Sequence, residues 1–166
     1  MIILDIDKEK KDLESYILKW FEKTKRHIEE IPKDLTSQVQ LLSNIRKDLY
    51  EDLNQMQHAA LIIKAAESLQ KEFPSINKWH WHPKQTSHPD YADLTGYVDN
   101  EIFLNAEVTT SLNPVGTIDK RMMSTLTSLN GKSGIKFYYV VTEKMCNRAK
   151  SKKTNNGFNI EIRQIL

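Results

Sequence analysis

The chain has 166 residues, a formal charge of +2 and 39% hydrophobic residues, enough for one domain, 1–166, with a real core. The near balance of acids and bases singles out no class of partner, and the lack of any run of about eighteen apolar residues excludes a membrane-spanning helix. A single cysteine, Cys146, excludes an internal disulfide framework and suits a reducing cytoplasm.

The opening MIILDID is too short and too quickly acidic to be expected as a signal peptide. The first predicted element is a helix over 8–30, with Asp7 able to cap it and Leu13, Ile17, Trp20, Phe21, Thr24 and Ile28 in a stripe at helical spacing. Ile31-Pro32-Lys33-Asp34 ends it, and Asp34 or Thr36 can cap a second helix that meets no Gly or Pro before about Phe73. Its stripe is Leu42, Ile45, Leu49, Leu53, Met56, Ala60 and Ile63. A straight helix of about 38 residues is roughly 57 Å long, more than a small domain is wide. It should therefore bend, break near 52–54, or project. The two helices most simply make an antiparallel hairpin, with 1–48 as an N-terminal helical extension and 49–166 as the core. The stripe is nearly a heptad repeat, so it allows a homodimer as well as the simpler packing within one chain.

Pro74-Ser75 closes the helical region, and Lys78-Trp79-His80-Trp81-His82 alternates as a strand. After a loop over 83–89, ADLTGYV and EIFLNAEVT read as two strands joined by Asp99-Asn100, which is turn chemistry. Asn113-Pro114-Val115-Gly116 is a turn, Thr117 can cap a helix through about Leu129, and Asn130-Gly131-Lys132-Ser133-Gly134 stops it. The near-continuous apolar run 135–141 marks a strand covered on both faces. A basic helix over 143–153 and a last, edge strand over 158–165 complete the order. Phe103, Asn105, Glu107 and Thr109 share one face of the second hairpin strand. Glu107 then stands near a second acid, Asp93 or Asp90, and two converging carboxylates call for a proton or a cation between them. Mg²⁺ is the usual guest of few carboxylates plus phosphate oxygens. A regular two-residue turn would pair Ala92 with Glu107 and send Asp93 to the opposite face. For Asp93 and Glu107 to meet, the loop must take a third residue or Gly96 must form a bulge.

Asp-Leu-Thr-Gly at 93–96 followed by Glu-Val-Thr-Thr-Ser at 107–111 resembles the core motif of the PD-(D/E)XK nucleases, the restriction-endonuclease-like fold. The helix–strand–strand–strand–helix–strand order also resembles that family's αβββαβ core. The resemblance covers about residues 50–142. It implies an α/β fold with a mixed central sheet flanked by helices, here with the helical hairpin added. It also implies Mg²⁺ or Mn²⁺ held by Asp93, Glu107 and the carbonyl of Val108, DNA as the partner, and hydrolysis of its phosphodiester bonds. Pro89-Asp90 supplies a literal Pro-Asp, but Asp93 fits the strand pattern better. The family's lysine position holds Thr109, which can position a water but supplies no charge. Lys120 or Arg121, in the first turn of the next helix, could take over that part, with Thr109 and Lys120 joining Asp93 and Glu107 as catalytic residues. Glu67 or Glu72 on the preceding helix could add a third acid, as a helix carboxylate does in some members. The alternative is a catalytically inactive protein of this fold that binds nucleic acid or a protein partner.

Two other groups of residues have readings of their own. His80, His82 and His88 could form a zinc site, but ligand spacing is poor and the histidines more readily pack on the sheet or touch a substrate. Lys144, Arg148, Lys150, Lys152 and Lys153 form a basic cluster that suits nucleic-acid phosphates or, equally, a solvated helix end.

Overall fold

A computed structural model describes residues 2–29, 31–83 and 91–166. The elements are β1 (Ile2–Ile3), α1 (Ile6–Glu29), α2 (Leu35–Glu72), β2 (Lys78–Trp81), β3 (Leu94–Val98), β4 (Glu101–Val108), α3 (Thr117–Asn130), β5 (Ile135–Val140), α4 (Glu143–Asn156) and β6 (Glu161–Gln164). The fold is α/β. Its six strands lie in the order β1-β2-β3-β4-β5-β6. β1 to β4 pair antiparallel, and β5 and β6 add in parallel to β4. From α2 to β5 the chain therefore runs helix, three antiparallel strands, helix, parallel strand. Among the described residues no helix is long and apolar enough to cross a membrane.

α2 is one unbroken helix, capped by Asp34, whose side chain accepts from the Ser37 N–H. Of the expected alternatives, a break near 52–54 does not occur, and the expected division at residue 48/49 falls inside this helix. α1 packs back along α2 in a hairpin tied by Lys10 to Glu67. Only the C-terminal half of α2 enters the sheet's core. Ile62, Ala66 and Leu69 are fully buried, while Leu35, Val39 and Leu42 are exposed near the hairpin tip. The helix projects because its first half has no sheet beneath it.

Each face of the sheet has its own core. Leu94, Leu104, Ala106, Phe137 and Tyr139 meet α2 on one face, with Trp79 and Trp81 of β2. Tyr138, Val140 and Ile162 meet α3 and α4 on the other, through Met122, Leu126, Leu129 and Met145. The run 135–141 is thus covered on both faces, as its unbroken apolar character implies. Asn100 and Asp99 both adopt positive φ, 67° and 51°, the tight turn their sequence predicts. The β3–β4 register shifts at Gly96/Tyr97: Tyr97 faces Ile102, whereas Gly96 faces Leu104. Phe103 is the extra residue, and both it and Leu104 turn toward the α2 core. The bulge falls at the Gly96 step, with the inserted residue on the partner strand. Gly134 starts β5 at φ 73° against the Phe103 carbonyl, where a Cβ would strike backbone. The expected Thr117 cap is absent: Gly116 holds the N-cap of α3 without a side-chain bond.

Candidate active site

The bulge brings the two acids together. With Leu94 opposite Ala106, the next pair toward the sheet's end is Asp93 and Glu107. The Asp93 carboxylate lies close enough to act on the Glu107 carboxyl.

Asp93 ends the ladder with its side chain. Its Oδ2 accepts the Val108 N–H at 2.8 Å, a strand donor that β3 no longer reaches. Its backbone carbonyl accepts from His82 N at 2.8 Å. The same Oδ2 lies 3.3 Å from Nε2 of His58, whose Nδ1 lies 3.4 Å from the Pro83 carbonyl. His58, on α2, is only 3% exposed. Burial alone would lower its pKa, but the bonds to Asp93 and to the Pro83 and Val108 backbone outweigh it and raise the ring above its usual value. Both ring nitrogens face acceptors, so the doubly protonated imidazolium suits the position.

Glu107 has no such settlement. Burial first, and then the charge of Asp93, push its carboxyl well above the ordinary 4.5, against the pull of Lys132. Two carboxyl groups this close share a proton rather than both ionise. Beside Glu107 on β5 stands Tyr138, buried, its phenol raised by burial and by Glu107 and bonded to the Thr109 side chain. The Thr109 hydroxyl also accepts the Ser111 N–H at 3.2 Å. Further along the same face, Thr95 donates to Asn105 at 2.9 Å, and Asn105 donates to the Ser133 carbonyl at 3.0 Å. Those buried polar groups are satisfied.

The expected residues divide accordingly. Asp93, Glu107 and Thr109 converge, with Tyr138 among them. Val108 is adjacent, and its backbone N–H is taken by Asp93. Lys120 and Arg121 are exposed on α3, and the cation whose field reaches Glu107 is Lys132. Glu67 pairs with Lys10, and Glu72 pairs with Arg163 at 2.6 Å. Neither adds a third acid; the α2 residue that reaches Asp93 is His58. In the basic cluster, Arg148 and Lys152 both grip Asp119, at 2.7 and 3.1 Å. Lys144 and Lys150 are exposed and Lys153 partly so. Since α4 starts at the carboxyl end of β5, Lys144, in its first turn, lies at the acid pair's end of the sheet. His80 packs edge-on against Tyr97. His88, Pro89 and Asp90 lie outside the described residues.

Among the described residues no group of three or more His, Cys, Asp and Glu side chains is placed to hold a metal ion. Two carboxylates are nonetheless the protein share of many Mg²⁺ sites, with water and phosphate completing the shell. A hard-oxygen pair that must otherwise keep a proton fits that donor set. His58, Lys132 and Tyr138 carry no motif spacing; only the register that brings Asp93 to Glu107 places them at a site. Searches against protein-family models, curated proteins and solved structures find no match for this chain.

Proposed function

We propose that the chain is a divalent-cation-dependent nuclease with a restriction-endonuclease-like core, hydrolysing DNA phosphodiester bonds. The observation that carries this reading is the nearness of Asp93 and Glu107, each one residue beyond the Leu94–Ala106 pair of β3 and β4. The α-β-β-β-α-β order of the elements supports it. Asp93 and Glu107 would hold Mg²⁺ or Mn²⁺, with the Val108 carbonyl as the backbone ligand. When bound, the cation supplies an acidified water and neutralises charge on the scissile phosphate. The chain's own residues do the rest. Glu107 gives up the shared proton as it becomes a ligand, and His58 fixes the orientation of Asp93. Lys132 offers the positive charge that Thr109 lacks, in the role expected of Lys120.

The test is nicking of supercoiled plasmid in millimolar Mn²⁺ or Mg²⁺, with metal binding followed by calorimetry. Glu107→Ala should abolish both, and Lys132→Ala should slow nicking roughly a hundred- to a thousandfold, the usual cost of one preorganised donor. A chain that neither binds these cations nor cuts in any of them overturns the reading. The second reading is a catalytically inactive protein of the same fold that binds nucleic acid or a protein partner. Thr109 in the lysine's place favours it, as does the commitment of Asp93 Oδ2 to Val108 and His58. A homodimer through the N-terminal helices belongs to the proposal too, and the exposed Leu35, Val39 and Leu42 stripe speaks for it. Loss of dimerisation in Leu42→Asp is its test.

A further inference from the structure

The face that carries Glu107 continues across β3 and β2. Lys78 pairs with Tyr97 and His80 with Thr95, and Thr95 pairs with Asn105. All five therefore stand on the side of the sheet that bears Glu107. α3 and α4 pack against β4, β5 and β6, whereas α2 covers the opposite face. Over β2 and β3 no helix among the described residues packs on this face, which presents rings. His80 lies 4.8 Å from Tyr97 at 61°, and Lys78 Nζ lies 5.8 Å from the centre of the Tyr97 ring. Tyr91, 41% exposed, lies close enough to Tyr97 to act on its phenol. Lys78 at one end and Lys136, paired with Asn105 on the other side, add positive charge.

We propose that Tyr91, His80 and Tyr97, flanked by Lys78 and Lys136, form a stacking platform for single-stranded nucleic acid that leads to the Asp93–Glu107 pair. The proposal rests on the reading that this chain acts on nucleic acid, and it names the substrate class. Base faces are free to lie on protein rings only when the strand is unpaired; in a duplex they are stacked on one another. Stacking tolerates any base, and lysines beside the rings meet the phosphates without reading sequence. From Asn105 to Glu107 is about 7 Å along the strand, close to one nucleotide step from the rings.

The experiment measures binding of labelled oligo-dT, oligo-U and a DNA duplex, each of about twelve nucleotides or base pairs, by fluorescence anisotropy in EDTA. No cleavage can occur there. Both single strands should bind at least roughly tenfold tighter than the duplex at the same salt. Tyr91→Ala and Tyr97→Ala should each weaken that binding roughly tenfold, and Tyr97→Phe should retain it. Tyr91 is exposed enough that its substitution leaves the fold intact, so it decides the matter if Tyr97→Ala proves unstable. A preference for one of the two single strands identifies the sugar but keeps the platform. Plasmid nicking in Mn²⁺ with equal affinity for duplex and single strand overturns the platform and leaves the nuclease standing. Tight, Tyr-dependent single-strand binding without cleavage in any metal supports the platform and removes the nuclease. If neither oligonucleotide class binds, the face belongs to a different partner and the proposal falls.

Discussion

The two faces of the β3–β4 pair place opposite demands on their side chains. On the α2 side, Leu94, Leu104 and Ala106 need only close neighbours, and all three are fully buried. On the other side Thr95 and Asn105 are nearly as buried, yet each stays there through a named hydrogen bond. Glu107 stands on this second face beside Asp93, and its need is unmet. A buried polar group must find a partner or pay a desolvation cost, so the place where two acids are left to share is where a ligand can act. The network of Asp119 on α3 is the contrast within the contrast: its carboxylate is held by Arg148 and Lys152 and asks for nothing more.

Substitutions on each face sharpen this difference. The largest effect on stability should come from Leu104→Ala, a fully buried side chain at the centre of the apolar face. It should cost about 2–5 kcal/mol in urea unfolding. Asn105→Ala strands the Thr95 hydroxyl and the Ser133 carbonyl and should cost about 1–3 kcal/mol, with Thr95→Val adding little on top because the pair is already broken.

Glu107→Gln should act in the other direction. The folded carboxyl ionises at higher pH than the unfolded one, whose ordinary value is 4.5. The folded state therefore binds the extra proton, so this contribution is fully present below that value and is lost as pH rises toward the raised folded value. Denaturation from pH 4 to pH 8 should show the wild type losing stability relative to Glu107→Gln. Equal slopes would mean that the carboxyl is not held by burial and Asp93.

The smallest change belongs to Asp119→Asn. The bonds from Arg148 and then Lys152 hold Asp119 far below its ordinary 3.8. Its contribution is thus present above that value and disappears as pH falls below it. The pairs are solvent-facing, so the urea midpoint at neutral pH should drop only slightly and the difference should vanish in acid. Plasmid nicking should be unchanged.

Much of this was legible in the residues. The helices α1 and α2, the Asp99-Asn100 turn and the strand in the apolar run 135–141 follow from period and turn chemistry. The bulge follows from a count: a regular hairpin misplaces Asp93 by one residue. β1 was not legible, because two residues carry no period. His58 was hidden because a histidine among Gln57, Ala59 and Ala60 reads as helix surface or helix core, and nothing local shows an acid 35 positions later beneath it. Lys132 sits in a glycine-flanked turn, so its side chain gains meaning only once β4 lies beside it. Lys120 had the better sequence argument, being first after the third strand, but the helix that carries it turns it to solvent. The bond from Asp119 to Arg148 and Lys152 spans 29 and 33 residues, and charge counts alone do not reveal such pairings.

That α2 is continuous means that one rigid rod sets the angular position of His58. Ala66 and Leu69 anchor its lower half to the sheet, so adding one residue between His58 and Ala66 would rotate the imidazole by about 100° away from Asp93. The same addition near Val39 would only turn the hairpin tip.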